Sequence, residues 1–164
     1  MPNSISKDEQ VLVNTIRINL PVGIPFVEQQ VQTAINISKK YLEGVKRKYD
    51  TSDNMYLHSL RVAVGASEYA NSISKNGFHR YDLVIIALLH DVIEDADSPE
   101  LRQELNVFKT LGNNKILEGI EALTNNEKEI HKLGKSKYMN VKFNQLAQGN
   151  KDFMAVKLID RLDN

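Results

Sequence analysis

Residues 80–96 read RYDLVIIALLHDVIEDA, an apolar run that ends abruptly in polar groups. From Leu83 to Leu89 the run is apolar on every side, which predicts a helix buried on all faces. The surrounding pattern is helical almost throughout. Residues 26–48 carry Val27, Val31, Ala34, Ile35, Ile37, Leu42 and Val45 roughly along one stripe. Residues 54–76 predict a second helix, with Asp53 or Asn54 near its N-cap and Gly77 placed to end it. Ser98-Pro99 starts another, which runs to about Gly112. Shorter helices follow at about 114–123 and 136–147, and a last one begins near Lys151. Two prolines and a glycine in LPVGIP, residues 20–25, mark a connector. Before it, Ser6 and Glu9 have capping-box spacing, while the later residues suit a strand equally well. Residues 1–25 are therefore read as an N-terminal arm of uncertain structure and 26–164 as the domain. β-Branched alternation is nearly absent after residue 25, so the expected fold class is all-α.

The polar end of the apolar helix carries candidate chemistry. At 100° per residue, with His90 at zero, Glu94 falls at about 40°, Asp91 at about 100° and Asp95 at about 140°. The polar groups thus share under half the circumference, at the end of a buried helix. A buried charge without a partner costs several kcal/mol, and a cation is one way to offset it. Imidazole and carboxylate side by side suit manganese, iron, nickel, zinc or magnesium. Other helices can supply further ligands. His58 lies between apolar turns in MYLHSLRVA, a setting more common for a hydrogen-bonded core histidine than for a ligand. Asp160, in FMAVKLIDRLDN, is an acid on a mostly apolar helix and needs a partner if buried. A salt bridge to Arg161, Lys157 or Arg61 would serve as well as a metal.

Composition narrows the reading. The 164 residues include 21 basic and 21 acidic side chains and no cysteine, which excludes disulfides and thiolate metal sites. A balanced charge gives no bulk attraction to nucleic acid. The lysine-rich KEIHKLGKSKYMNVKF, residues 128–143, reads as a solvated helix that lends Tyr138 or a lysine to a nucleotide pocket. Leu83–Leu89, the longest uncharged apolar run, is too short to span a bilayer. The N-terminus lacks a basic stretch followed by an apolar core. A soluble cytoplasmic protein is expected, without nucleic-acid or membrane partners and of undetermined oligomeric state.

The segments HSLRVA, ALLHDVIED, GIEALT and VKLIDRLDN stand in an order and spacing that resemble a known family. His58, His90-Asp91 and Asp160 match the H…HD…D pattern of the HD superfamily of metal-dependent phosphohydrolases. Across about residues 30–164 the wording is similar to the hydrolase domain of RelA/SpoT-type alarmone enzymes and their small relatives. The resemblance implies one divalent ion, manganese by preference, held by His58, His90, Asp91 and Asp160. It implies that Glu94 and Asp95 orient and deprotonate the attacking water, and that Asn164 helps hold a guanine nucleotide. Arg47-Lys48 are a loose counterpart of the family's arginine-lysine pair, without the glycine and proline that accompany it, and Arg61 and Lys157 are further phosphate candidates. Ala96 stands where alarmone hydrolases often have threonine.

The expected reaction is removal of the 3′-pyrophosphate from guanosine tetra- or pentaphosphate. One alternative is an HD phosphatase acting on another nucleotide, such as a deoxynucleoside monophosphate, which the imperfect Arg-Lys stretch favours. The other is a non-catalytic nucleotide-sensing module, which the end of the chain four residues past Asp160 favours and the intact ligand set opposes.

Overall fold

A computed structural model describes residues 5–164, and the remainder of the expected arm, residues 1–4, lies outside the described residues. The described residues form ten α-helices: α1 (Lys7–Asn19), α2 (Pro25–Leu42), α3 (Met55–Ile73), α4 (Tyr81–Leu89), α5 (Val92–Ala96), α6 (Pro99–Thr110), α7 (Asn114–Leu123), α8 (Glu127–Leu133), α9 (Lys135–Gly149) and α10 (Lys151–Asp163). Among the described residues there is no strand beyond isolated bridges at Lys46–Asn54 and Lys75–Phe78. The fold is all-α, as the apolar periodicity predicts.

At the centre is α4, every residue of which from Leu83 to Leu89 is fully buried. It packs against α2, α3, α7 and α10. That is the expected environment for a helix without a polar face. The helices around it start on local signals. Asn54 accepts from the Leu57 N–H at 2.9 Å, Ser98 from Leu101 at 3.1 Å, and Asn150 from both Asp152 and Phe153. Pro25 and Pro99 occupy first-turn positions, where no N–H is needed.

The segment that was ambiguous between helix and strand is helix α1. Ser6 accepts from the Glu9 N–H at 3.1 Å, the first half of a capping box. Glu9 does not complete the box. It is buried and receives Lys39 Nζ at 2.9 Å and the Tyr56 hydroxyl at 2.9 Å, pinning α1 to α2 and α3.

Three details differ from the sequence expectation. The helix expected over 80–96 breaks at His90-Asp91. His90 Nδ1 donates to the Ala87 carbonyl at 2.7 Å, the acceptor that the helical ladder would assign to the Asp91 N–H. The helix expected to reach Lys48 ends at Leu42. Residues 128–143, which read as one solvated helix, divide at Gly134, whose φ is +82°, into α8 and α9, and α8 contributes no buried residue.

Candidate metal centre

Three helices converge on one point. His58 comes from the first turn of α3, His90 from the C-cap of α4 and Asp160 from the last turn of α10. All three are at least 95% buried. One donor atom from each lies within 4.8 Å of the other two. Asp160 Oδ1 is 3.2 Å from His58 Nε2 and 3.6 Å from His90 Nε2. Asp91, in the break after α4, brings Oδ2 to 2.9 Å from His90 Nε2 and 3.6 Å from His58 Nε2. The structure thus gathers all four residues of the H…HD…D pattern.

The two imidazoles are oriented from behind. A carbonyl can only accept, so the 2.7 Å contact to Ala87 puts a proton on His90 Nδ1 and turns Nε2 to the centre. There Nε2 is buried without a hydrogen-bond partner, because the nearby carboxylates lie outside hydrogen-bond geometry. His58 Nδ1 contacts Asp163 Oδ2 at 2.7 Å, which turns its own Nε2 to the same point.

The electrostatics call for positive charge at this point. Burial opposes charge on His90, yet Asp91 and Asp160 outweigh it and push its pKa up to about 10. Burial likewise works to raise both acids. The imidazoles of His58 and His90 beside it, with the Lys157 ammonium, nonetheless hold Asp160 far below the usual carboxylate range, and the His90 charge lowers Asp91. Lys157, also buried, adds a 2.9 Å ion pair to Asp160 Oδ2. A donor set of two imidazoles and two carboxylates, with one buried ring nitrogen lacking a partner, fits a divalent cation.

Glu94 and Asp95 sit one turn beyond Asp91, on α5 and at the surface. Glu94 accepts from Asn125 twice, from the backbone N–H at 3.1 Å and the side-chain amide at 3.3 Å. Asp95 is exposed overall, yet its carboxyl is pushed up to about 6, by the protein packed around it and by the charges of Asp91 and Glu94. Lys48, also exposed, opposes that rise from nearby.

The other expected substrate contacts are placed differently from one another. Arg47 meets Asp53 at 3.3 Å and Asp163 at 3.5 Å, and its guanidinium donates to Asn164 Oδ1. Asn164 in turn donates to Asp160 Oδ1 at 3.0 Å. Arg61 is held by Asp163 and Asp53. Tyr138 is buried elsewhere, lining a cavity of about 530 Å³ beside α7, α9 and α10 that none of the four H…HD…D residues lines. Its hydroxyl accepts from the Asn126 N–H at 2.8 Å.

The sequence reading did not single out Asp163 or Asn125. Asp163 carries a signal, since it follows Asp160 by three residues on one helix and so shares its face. Asn125 carries none, because it meets Glu94 across 31 residues from the loop between α7 and α8.

The family model of the HD domain matches residues 55–164, well over half of the chain. No curated protein matches the chain, and no solved structure does.

Proposed function

The chain belongs to the HD domain family, generally metal-dependent hydrolases, and from that premise we propose a phosphohydrolase that removes the 3′-pyrophosphate of guanosine tetra- or pentaphosphate. The observation that carries the hydrolase reading is the convergence of His58, His90 and Asp160 donor atoms within 4.8 Å, with His90 Nε2 buried and unpartnered. His58, His90, Asp91 and Asp160 would hold one divalent ion, manganese by preference. Such an ion supplies polarisation of a phosphoryl oxygen and acidification of water.

The chain's own residues do the rest. Glu94, aimed by Asn125, takes the proton of the attacking water, with Asp95 beside it. Water oxygen bonds to the phosphorus attached at the ribose 3′ position. The bond from that phosphorus to O3′ breaks, and O3′ leaves as a hydroxyl after taking up a proton. The products are guanosine di- or triphosphate and pyrophosphate. Lys48 and the Arg47–Asn164 pair bring positive charge and amide groups for the nucleotide.

A second reading, hydrolysis of another nucleotide such as a deoxynucleoside monophosphate, is favoured by the engagement of Arg47 with Asp53, Asp163 and Asn164. That leaves less of the guanidinium for a substrate with many phosphates. The experiment is a nucleotide panel with manganese-loaded protein. The proposal expects guanosine diphosphate and pyrophosphate from guanosine tetraphosphate. Orthophosphate release from monophosphates alone would move the answer to the second reading. No turnover with metal bound would leave a nucleotide sensor.

A further inference from the structure

We propose that Asp163 is a positioning residue for the cation site: it fixes the His58 ring so that Nε2, and not Nδ1, faces His90 and Asp160. This rests on the metal reading above.

His58 stands on α3 and has two ring nitrogens. Nε2 lies 3.2 Å from Asp160 Oδ1. On the opposite side, Nδ1 lies 2.7 Å from Asp163 Oδ2. An ionised carboxylate only accepts, so this contact places the proton on Nδ1 and leaves the Nε2 lone pair for a cation. Without it, a neutral imidazole would be free to carry its proton on Nε2 and to rotate, and the ligand would be lost part of the time. Carboxylates behind ligating histidines commonly act this way.

Asp163 is itself held. Arg61 Nε donates to Oδ1 at 2.9 Å and to Oδ2 at 3.1 Å. Arg47 stands 3.5 Å from Oδ2. Both arginines also pair with Asp53, so two cations and two anions form a closed cluster behind His58. One residue on α10 therefore aims a ligand on α3, while Asp160, three residues earlier, acts as a ligand itself. The helix pair fixes both the position and the tautomer of the site.

The test compares wild type with Asp163→Asn and Asp53→Asn, by manganese affinity and by the long-range proton–nitrogen spectrum of the histidine rings. Asp163→Asn should weaken manganese binding about 10–100-fold and shift His58 away from the Nδ1–H tautomer. Asp53→Asn loosens the same arginines without touching His58, and should leave affinity and tautomer nearly unchanged. Equal affinity in Asp163→Asn and wild type would overturn the positioning role while leaving the metal site intact. Equal losses in both variants would also overturn it, since the charge cluster and not the His58 contact would then matter. A wild type that binds no manganese, zinc or iron overturns the metal reading and this role together.

Discussion

Asn125 clasps the Glu94 carboxylate with two donors, its backbone N–H at 3.1 Å from Oε2 and its side-chain amide at 3.3 Å from Oε1. Glu94 is exposed, and an exposed glutamate ordinarily samples several rotamers. Two donors restrict that freedom and give the carboxylate a direction. The loop between α7 and α8 thereby acts on α5.

The roles of neighbouring acids separate by substitution. Glu94→Gln keeps size and hydrogen bonding but removes the proposed base, and should cost about 10²–10⁴-fold in turnover with bound metal unchanged. Asp91→Asn should lose both metal and turnover, because its Oδ2 lies against both imidazoles. Metal per chain and turnover are measured on each variant. Loss of metal in Glu94→Gln would make Glu94 a ligand, and full turnover would make it a solvated helix end.

Removing the cation should destabilise the fold. The proposed ligands His58, His90 and Asp160 come from α3, α4 and α10, and one ion would tie these helices together. A ligand at a hundredfold excess over its dissociation constant adds about 2.7 kcal/mol. Exhaustive chelation should lower the melting temperature by several degrees and manganese should restore it. His58→Ala should abolish the metal-dependent shift, and a melt indifferent to chelation in wild type would count against the site.

Close approach of α3 and α10 depends on Gly65. A Cβ there would stand 2.6 Å from Ile159 Cγ2, and Ile159 directly precedes Asp160. Ile159 is β-branched and has little rotamer freedom in a helix. Gly65→Ala should therefore push α10 outward, costing about 1–3 kcal/mol by overpacking, offset in part by the better helix propensity of alanine. Metal affinity should fall with it. Adding Ile159→Ala should recover affinity, and a non-additive double mutant is the expected signature. Strict additivity of the two changes would rule out the contact.

These contacts show where the sequence was legible. The central helix could be read because Leu83–Leu89 has no polar position, and burial of the whole run follows. Asp160 could be read because an acid among Val156, Ile159 and Leu162 needs a partner. The break at His90-Asp91 could not, because it depends on one side-chain bond to the Ala87 carbonyl that competes with the helical ladder. The division of residues 128–143 into α8 and α9 left no periodic signal, since the seven residues of α8 bury nothing. The partnership of Asn125 and Glu94 depends on tertiary placement, which local pattern does not encode.

Lys142 offers a pH test away from the cation site. It is 8% exposed, and its amine donates to the Thr124 carbonyl and lies 3.4 Å from the Tyr138 hydroxyl. Burial first, and the charge of Lys157 second, bring its pKa down to about 8, against the opposing pull of Glu94 and Glu129. The unfolded chain keeps the ordinary value near 10.5. The sign follows from linkage. Below about pH 8 both states are protonated and the folded state bears the full cost of the buried charge. Between that value and 10.5 the folded state sheds its proton first, so this group makes the fold more stable as pH rises. The total swing is on the order of 3 kcal/mol. Lys142→Met keeps the apolar stem and removes the charge, at the loss of a hydrogen bond worth about 1 kcal/mol. The variant should unfold at higher denaturant than wild type at pH 7, and its advantage should shrink steadily toward pH 10. Denaturant midpoints of the two proteins across that range decide the matter. A constant gap would show that the amine titrates alike in both states and that its burial carries no charge cost.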